Sequence, residues 1–223
     1  MARTIRVGTR KSPLALKQAE EALVGLKKFY SDAEFDIIAI DTYGDKDKNT
    51  PISEIEGTDF FTREIDRALL RGEIDIAVHS AKDLPDSLTE GLEVLFITET
   101  IDPYDCSVSK SGLKLNELPH GARIGTSSQR RKTQLKKYRD DFQIMDIRGN
   151  IEERLEKLNN SDFDAIVIAA AGLMRLGLAN KITQRIPFNI LRPHPLQGSL
   201  AVVAKKNNID LIKSFKVLEA AAL

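Results

Sequence analysis

The sequence of 223 residues predicts an α/β protein made of two similar lobes with a cleft between them. Three observations carry that expectation. Short apolar strand patterns alternate with helical patterns along the chain, the signature of α/β rather than segregated α+β structure. Arg6-Val7-Gly8-Thr9 is echoed by Arg123-Ile124-Gly125-Thr126, each ahead of a polar, basic stretch and a helix. Ile74-Asp75-Ile76-Ala77-Val78 is echoed in the same order by Phe163-Asp164-Ala165-Ile166-Val167. The lobes fall at 1–98 and 103–192, with Asp102-Pro103 and Arg192-Pro193-His194-Pro195 as crossings stiffened by proline. The segment 196–223 is expected to return to the first lobe, because one strand, Leu200–Ala204, and one helix are too little for a domain.

The elements follow in order. Ile5–Val7 reads as a strand, and Ser12-Pro13 as an N-cap with proline at the first helical position. Leu14, Leu16, Ala19, Leu23 and Leu26 give the following helix its apolar face. Phe35–Ile40 is the next strand, running into a polar loop with Gly44 and Asp45. Phe60–Leu70 reads as a helix with Phe61, Ile65, Ala68 and Leu69 near one face. Ile74–Val78 is a buried strand that exits into His79, Ser80, Lys82 and Asp83, and Leu92–Phe96 is a further strand. Ile144–Ile147 is strand-like and delivers Arg148 beside Gly149.

Composition narrows the function classes. The 33 basic and 33 acidic residues cancel, so neither nucleic acid nor a membrane surface is an expected partner. No window approaches the roughly 18 apolar residues of a membrane span, and the amino terminus lacks the apolar core of a signal peptide, which points to a cytoplasmic protein. Cys106 is the sole cysteine, so there is no intrachain disulfide, and with scattered His79, His120 and His194 no metal is expected. No phosphate loop, hydrolase elbow or zincin helix is present.

A cleft is the default ligand site, and strand ends in α/β sheets face it. Arg10 and Ser12 stand before one helix, and Thr126, Ser127 and Ser128 before another, where exposed N–H groups attract anions. The hydroxyls either cap the helices or hold a carboxylate. Arg130-Arg131-Lys132 reads first as a solvated helical face, whereas Arg148 emerges at a strand end. With Arg154 and Arg175 these planar forks imply a ligand bearing several carboxylates or phosphates. Asp83 is the one carboxylate placed among them at a strand end, as an acid–base group or as an ion-pair partner of Lys82 or an arginine.

Five segments, Val7–Leu16, His79–Pro85, GTSSQRRKTQL from Gly125, IRGNIEERLEKL from Ile147 and DAIVIAAAGLMRLGL from Asp164, together resemble the porphobilinogen deaminase (hydroxymethylbilane synthase) family over about residues 5–205. The resemblance implies lobes of the type II periplasmic-binding-protein kind. It also implies a transferase of tetrapyrrole (haem) biosynthesis that condenses four porphobilinogen molecules with loss of ammonia, on a dipyrromethane cofactor. By the same resemblance Asp83 is the catalytic carboxylate. Arg10, Ser12, Lys82, Thr126, Ser128, Arg130, Arg131, Arg148 and Arg154 bind acetate and propionate groups, Arg175 is a further substrate-side arginine, and Gln18 and Gln197 are cleft or interdomain positions. The expected ligand is a small pyrrole with carboxylate arms, and the expected state a monomer. Two departures qualify this. The family's third domain, which carries the cysteine linked to dipyrromethane, has no counterpart before Leu223, and Cys106 does not match that cysteine, which leaves the attachment site unknown. Glu54 and Thr58 stand where the family has lysines. Three readings stay open: a compact deaminase, an enzyme completed by a separate third-domain polypeptide, and a pyrrole-binding paralogue without turnover.

Overall fold

Each half of this chain is a five-stranded mixed sheet with the same strand order. The computed structural model describes residues 4–27, 33–46 and 58–208. These divide into two units, one formed by 4–27, 33–46, 58–99 and 199–208, the other by 100–198. The helix expected in the tail and Glu54 lie outside the described residues.

In the first unit, β1 (Thr4–Arg10) pairs in parallel with β2 (Glu34–Ile40) and β3 (Ile76–Ser80). The late strand β10 (Leu200–Lys205) lies antiparallel between β3 and β4 (Leu92–Ile97), giving the order β2-β1-β3-β10-β4. The second unit reproduces this. β6 (Arg123–Gly125) pairs in parallel with β7 (Gln143–Met145) and β8 (Ala165–Ala169), and β5 (Asp105–Ser109) lies antiparallel between β8 and β9 (Gln184–Arg185). One antiparallel strand in each sheet leaves the other four pointing their carboxyl ends at a single edge.

The sequence echoes coincide in register. Val7 sits opposite Ile76 as Ile124 sits opposite Ala165. One residue earlier, Asp75 accepts the backbone N–H of Arg6 (2.8 Å) and Asp164 accepts that of Arg123 (2.7 Å). The aspartate N–H groups return bonds to the arginine carbonyls, at 2.8 and 2.9 Å. Each aspartate thereby seals the start of a buried parallel pair where a ladder bond is missing. One residue later, both units place glycine because a side chain has no room. A Cβ on Gly8 would lie 2.2 Å from Ile74 Cδ1, and one on Gly125 3.1 Å from Phe163 and Ile166.

Helices cover both faces of each sheet. α1 (Pro13–Lys27) buries Ala19, Ala22, Leu23 and Leu26 against Val7, Val78 and Val202. Its inward face is rotated from the expected one. Ala15, Gln18 and Ala22 are buried, while Leu14 and Leu16 are only half covered, so the small residues let the helix approach the sheet. A single helical turn, α2 (Tyr43–Lys46), follows β2. The expected helix Phe60–Leu70 is divided into a 3-10 turn at Asp59–Phe61 and α3 (Arg63–Arg71), whose Ile65, Ala68 and Leu69 fill the opposite face. In the second unit α4 (Gln129–Tyr138) places Leu135 on one face, and α5 (Ile151–Asn160) and α6 (Ala170–Arg175) place Leu158 and Leu173 on the other. Cys106 is fully buried within β5.

Asp75→Ala and Asp164→Ala should each lower the unfolding free energy by about 1–3 kcal/mol, since a half-buried N–H loses its acceptor. Arg123→Ala, which removes a pairing with the exposed Asp162, should cost under about 1 kcal/mol. Urea titration of the three variants separates the two cases, and equal losses would refute the role given to the aspartates.

Candidate functional site

The carboxyl edge of the first sheet collects Arg10, Ser12, Lys82 and Asp83. Ser12 Oγ accepts the N–H of Ala15 (3.3 Å) and so caps α1. Thr9, buried at the end of β1, donates its hydroxyl toward Val78 O (3.2 Å) and Ala15 O (3.3 Å), tying β1, β3 and α1 together. Gln18 donates from α1 to Ser80 Oγ (2.8 Å) at the end of β3. The strand then closes into a 3-10 turn, Ala81–Asp83, pinned by Ala81 N–H donating to Ser199 O (3.0 Å). On that turn Ala81 is buried, Lys82 half-buried and Asp83 exposed. The braced turn thus presents an exposed carboxylate at the end of β3.

Arg10 is already engaged. Its guanidinium binds both oxygens of Asp45 and lies over the Phe61 ring, 4.5 Å from the centroid. Thr42 donates a further bond to Asp45 (2.7 Å). Burial alone would raise the Asp45 carboxyl, but Arg10 and Thr42 outweigh it and hold it below the ordinary carboxylate range. His79, expected at the polar exit of the strand, is 6 % exposed, and its Nε2 has no partner among the described residues. Burial lowers its pKa to about 4, opposed by Asp83 and assisted by Arg10, so the ring is neutral and senses both charges. Thr58 accepts the N–H of Phe60 (3.3 Å) and caps the Asp59–Phe61 turn.

The corresponding edge of the second sheet carries Thr126, Ser128, Arg130, Arg131, Arg148, Arg154 and Arg175. Thr126 is fully buried after β6, and its Oγ1 has no partner among the described residues. Ser127 exchanges two bonds with the Ile147 backbone (2.7 and 3.0 Å). Ser128 stands at the N-cap of α4, and its hydroxyl makes no capping bond. The first-turn N–H groups of that helix and its positive dipole end therefore face the same edge as the Thr126 hydroxyl. Arg148, half-buried, follows β7, and Asn150 and Glu153 form a reciprocal capping box that starts α5. Arg154 Nε donates to Gly149 O (2.8 Å), and Arg175 Nη2 to Gly198 O (2.8 Å).

Arg130 and Arg131 are not the solvated face that the run of bases suggests. Both bind Asp105, which is fully buried. Arg130 Nη2 meets Oδ2 at 2.7 Å, and Arg131 meets Oδ1 through Nε (2.9 Å) and Nη2 (2.7 Å). Arg131 also donates to Val167 O (3.3 Å) and Gln197 Oε1 (3.5 Å), and Arg130 to Arg192 O. Asp83 is thus not the one carboxylate among these cations. Asp45 holds Arg10 and Asp105 holds Arg130 and Arg131, while Asp102 binds a further arginine, Arg185, at 2.7 Å. Their signal was slight: each is a lone aspartate beside a strand, and its arginine lies tens of residues away.

The sole cysteine, Cys106, is buried. Burial pushes the Cys106 thiol up to about 12, leaving essentially no nucleophilic thiolate near neutrality. Noncovalent donors do suit an oligocarboxylate such as dipyrromethane, because the buried Thr126 Oγ1 lacks a partner beside a helix N-terminus. Among the described residues no group of acidic, histidine or cysteine side chains could hold a metal ion, and no helix is long and apolar enough to cross a membrane.

Strand order and covered faces define a two-unit α/β protein of the type II periplasmic-binding-protein fold. Among solved structures the chain is similar to the probable amino-acid ABC transporter extracellular-binding protein ytmK of Bacillus subtilis, with a TM-score of 0.57, 14 % identity and coverage of 99 % of this chain and 92 % of that one. The family described as "Porphobilinogen deaminase, dipyromethane cofactor binding domain" matches residues 5–213. The chain is 45 % identical over 216 residues to the porphobilinogen deaminase of Natranaerobius thermophilus, covering 96 % of this chain and 70 % of the relative. It is 45 % identical over 207 residues to that of Citrifermentans bemidjiense, covering 93 % and 65 %. The chain belongs to the porphobilinogen deaminase family, and it spans about two thirds of the length of these relatives.

The buried, uncharged His79 makes stability depend on pH. Its folded pKa, about 4, lies below the ordinary 6.5, so the unfolded chain takes up a proton that the folded chain refuses. Stability contributed by the neutral ring is full above 6.5 and declines as the pH falls toward 4, by about 3 kcal/mol in total. Urea unfolding across that interval should show a shallower decline in His79→Leu than in the parent. Identical slopes would contradict the assignment.

Proposed function

We propose that the chain acts as a hydroxymethylbilane synthase of haem biosynthesis, joining porphobilinogen units head to tail and releasing ammonia at each addition, in the cytoplasm. The observation that carries this reading is an exposed carboxylate, Asp83, fixed on a hydrogen-bonded turn at a strand end within electrostatic reach of His79, which also senses Arg10. Loss of the amino group from porphobilinogen leaves an azafulvene-like cation. A carboxylate held against it stabilises that charge and assists departure of the amine.

The cationic groups take the other task, binding the acetate and propionate arms. Thr126, Ser128 and the first N–H groups of α4 suit one carboxylate, and Arg148, Arg154 and Arg175 suit others. Dipyrromethane, when bound, supplies the pyrrole from which the chain grows, and the same donors would hold its carboxylates. Arg10 and Lys82, at the carboxyl edge of the first unit's own sheet, also suit carboxylates, with Asp45 competing for Arg10. Arg131 acts more as a brace than a ligand, since three of its nitrogens are committed. Arg130 keeps donors beyond those used on Asp105 and Arg192.

With porphobilinogen supplied, Asp83→Asn should slow ammonia release about 10²–10⁴-fold while leaving the circular dichroism spectrum unchanged. Unchanged turnover in that variant removes Asp83 from the chemistry. Binding of porphobilinogen by the parent chain with no ammonia released would instead establish a carboxylate-binding protein without turnover.

A further inference from the structure

The second unit has a pocket at the edge of its sheet opposite to Thr126 and Arg148. β5 runs antiparallel to its neighbours, so its last residue, Ser109, pairs with the first residue of β8, Ala165. There the end of β5, the last turns of α5 and the chain entering β9 border an open pocket of about 520 Å³, the size of a small-molecule site. None of the side chains assigned to the proposed reaction lines it.

Its lining is amphiphilic and of one sign. Val108, Leu155, Leu158 and Ile182 supply apolar surface continuous with the buried core beneath β5 and β8. Two lysines, Lys110 and Lys181, stand on the rim, and no acidic side chain lines the pocket. Lys110 donates one long bond to Ser161 O (3.4 Å), and an ammonium has three donors to offer. The wall is set by Ser109 N–H donating to Thr183 Oγ1 (2.9 Å) and by the Ser109–Ser111 hydroxyl pair (3.1 Å). Leu155 and Ile182, both half-exposed, give the lining an apolar part that free phosphate would leave unused. Two cations without a counter-charge favour an anion. The chemistry common to both demands is a small organic anion with a flat or branched apolar body.

We infer that this pocket is a second ligand site of the second unit, selective for small amphiphilic carboxylates or sulfonates and separate from the pyrrole-binding residues. The inference rests on this unit alone and stands whether or not the chain turns over porphobilinogen.

The probe is 2-naphthoate, added to the full chain carrying ¹³C-labelled methyl groups. Saturable shifts are expected at Val108, Leu155, Leu158 and Ile182. Lys110→Glu and Lys181→Glu, both at exposed positions and so compatible with folding, should each weaken binding about tenfold, as for loss of one charge-assisted bond. The uncharged 2-naphthalenemethanol should bind correspondingly less. Three outcomes overturn the inference: no saturable shift at these methyls, shifts confined to Ile147 and Ile151 at the other end of α5, or equal affinity in the parent and both lysine variants.

Discussion

The second unit is organised around one buried carboxylate that holds two guanidinium groups. Asp105 is withdrawn from water at the first residue of β5, where both its oxygens are used, one by Arg130 and one by Arg131. An ion removed from water is tolerated only when its geometry and hydrogen bonds are complete. Here Val167 O and Gln197 Oε1 take further donors of Arg131, and Gln197 in turn donates to Pro103 O (2.9 Å). The first turn of α4, the start of β5 and the segments at Pro103 and Gln197, all within the second unit, are thereby joined through one charged cluster. Two cations against one anion leave an excess positive charge at the edge where Thr126 and Ser128 stand.

The first unit uses the same device at smaller scale. Arg10 is held by Asp45, which Thr42 also binds, and Phe61 covers the guanidinium face. In both units a carboxylate from the protein itself orients arginine before any ligand arrives, at the end of β1 in the first unit and in the first turn of α4 in the second. Such orientation lowers the entropy lost when a ligand carboxylate is gripped. It also sets a competition, because a ligand must offer better geometry than the internal partner. Asp83 differs from Asp45 and Asp105 in being exposed, which is what a carboxylate needs if it is to meet a substrate.

Much of this organisation was legible in the sequence, for local reasons. Arg-apolar-Gly-Thr recurs at 6–9 and 123–126 because each copy opens the pairing with a buried parallel strand, needs a glycine where a neighbouring side chain crosses, and ends on a hydroxyl ahead of the helix that follows. Asp75 and Asp164 recur because each strand start lacks an acceptor. What was not legible depended on tertiary pairing. Arg131 reads as a solvated lysine-like position because its helix is strongly basic, yet an aspartate 26 positions earlier draws it inward. Helical period alone assigned Leu14 and Leu16 to the core, but close approach to the sheet favoured Ala15 and Ala22. His79 looked like part of a polar exit, whereas the strand carries it one residue further into the buried layer.

The central claim is that strand-end arginines and a helix N-terminus recognise a pyrrole through its carboxylates. Calorimetric titration of the chain with porphobilinogen and with its dimethyl ester, at one fixed salt concentration, tests it directly. The ester keeps the ring and the aminomethyl group while removing both negative charges. The account predicts that affinity falls by at least about tenfold for each carboxylate masked. Equal affinity for the acid and the ester would contradict it.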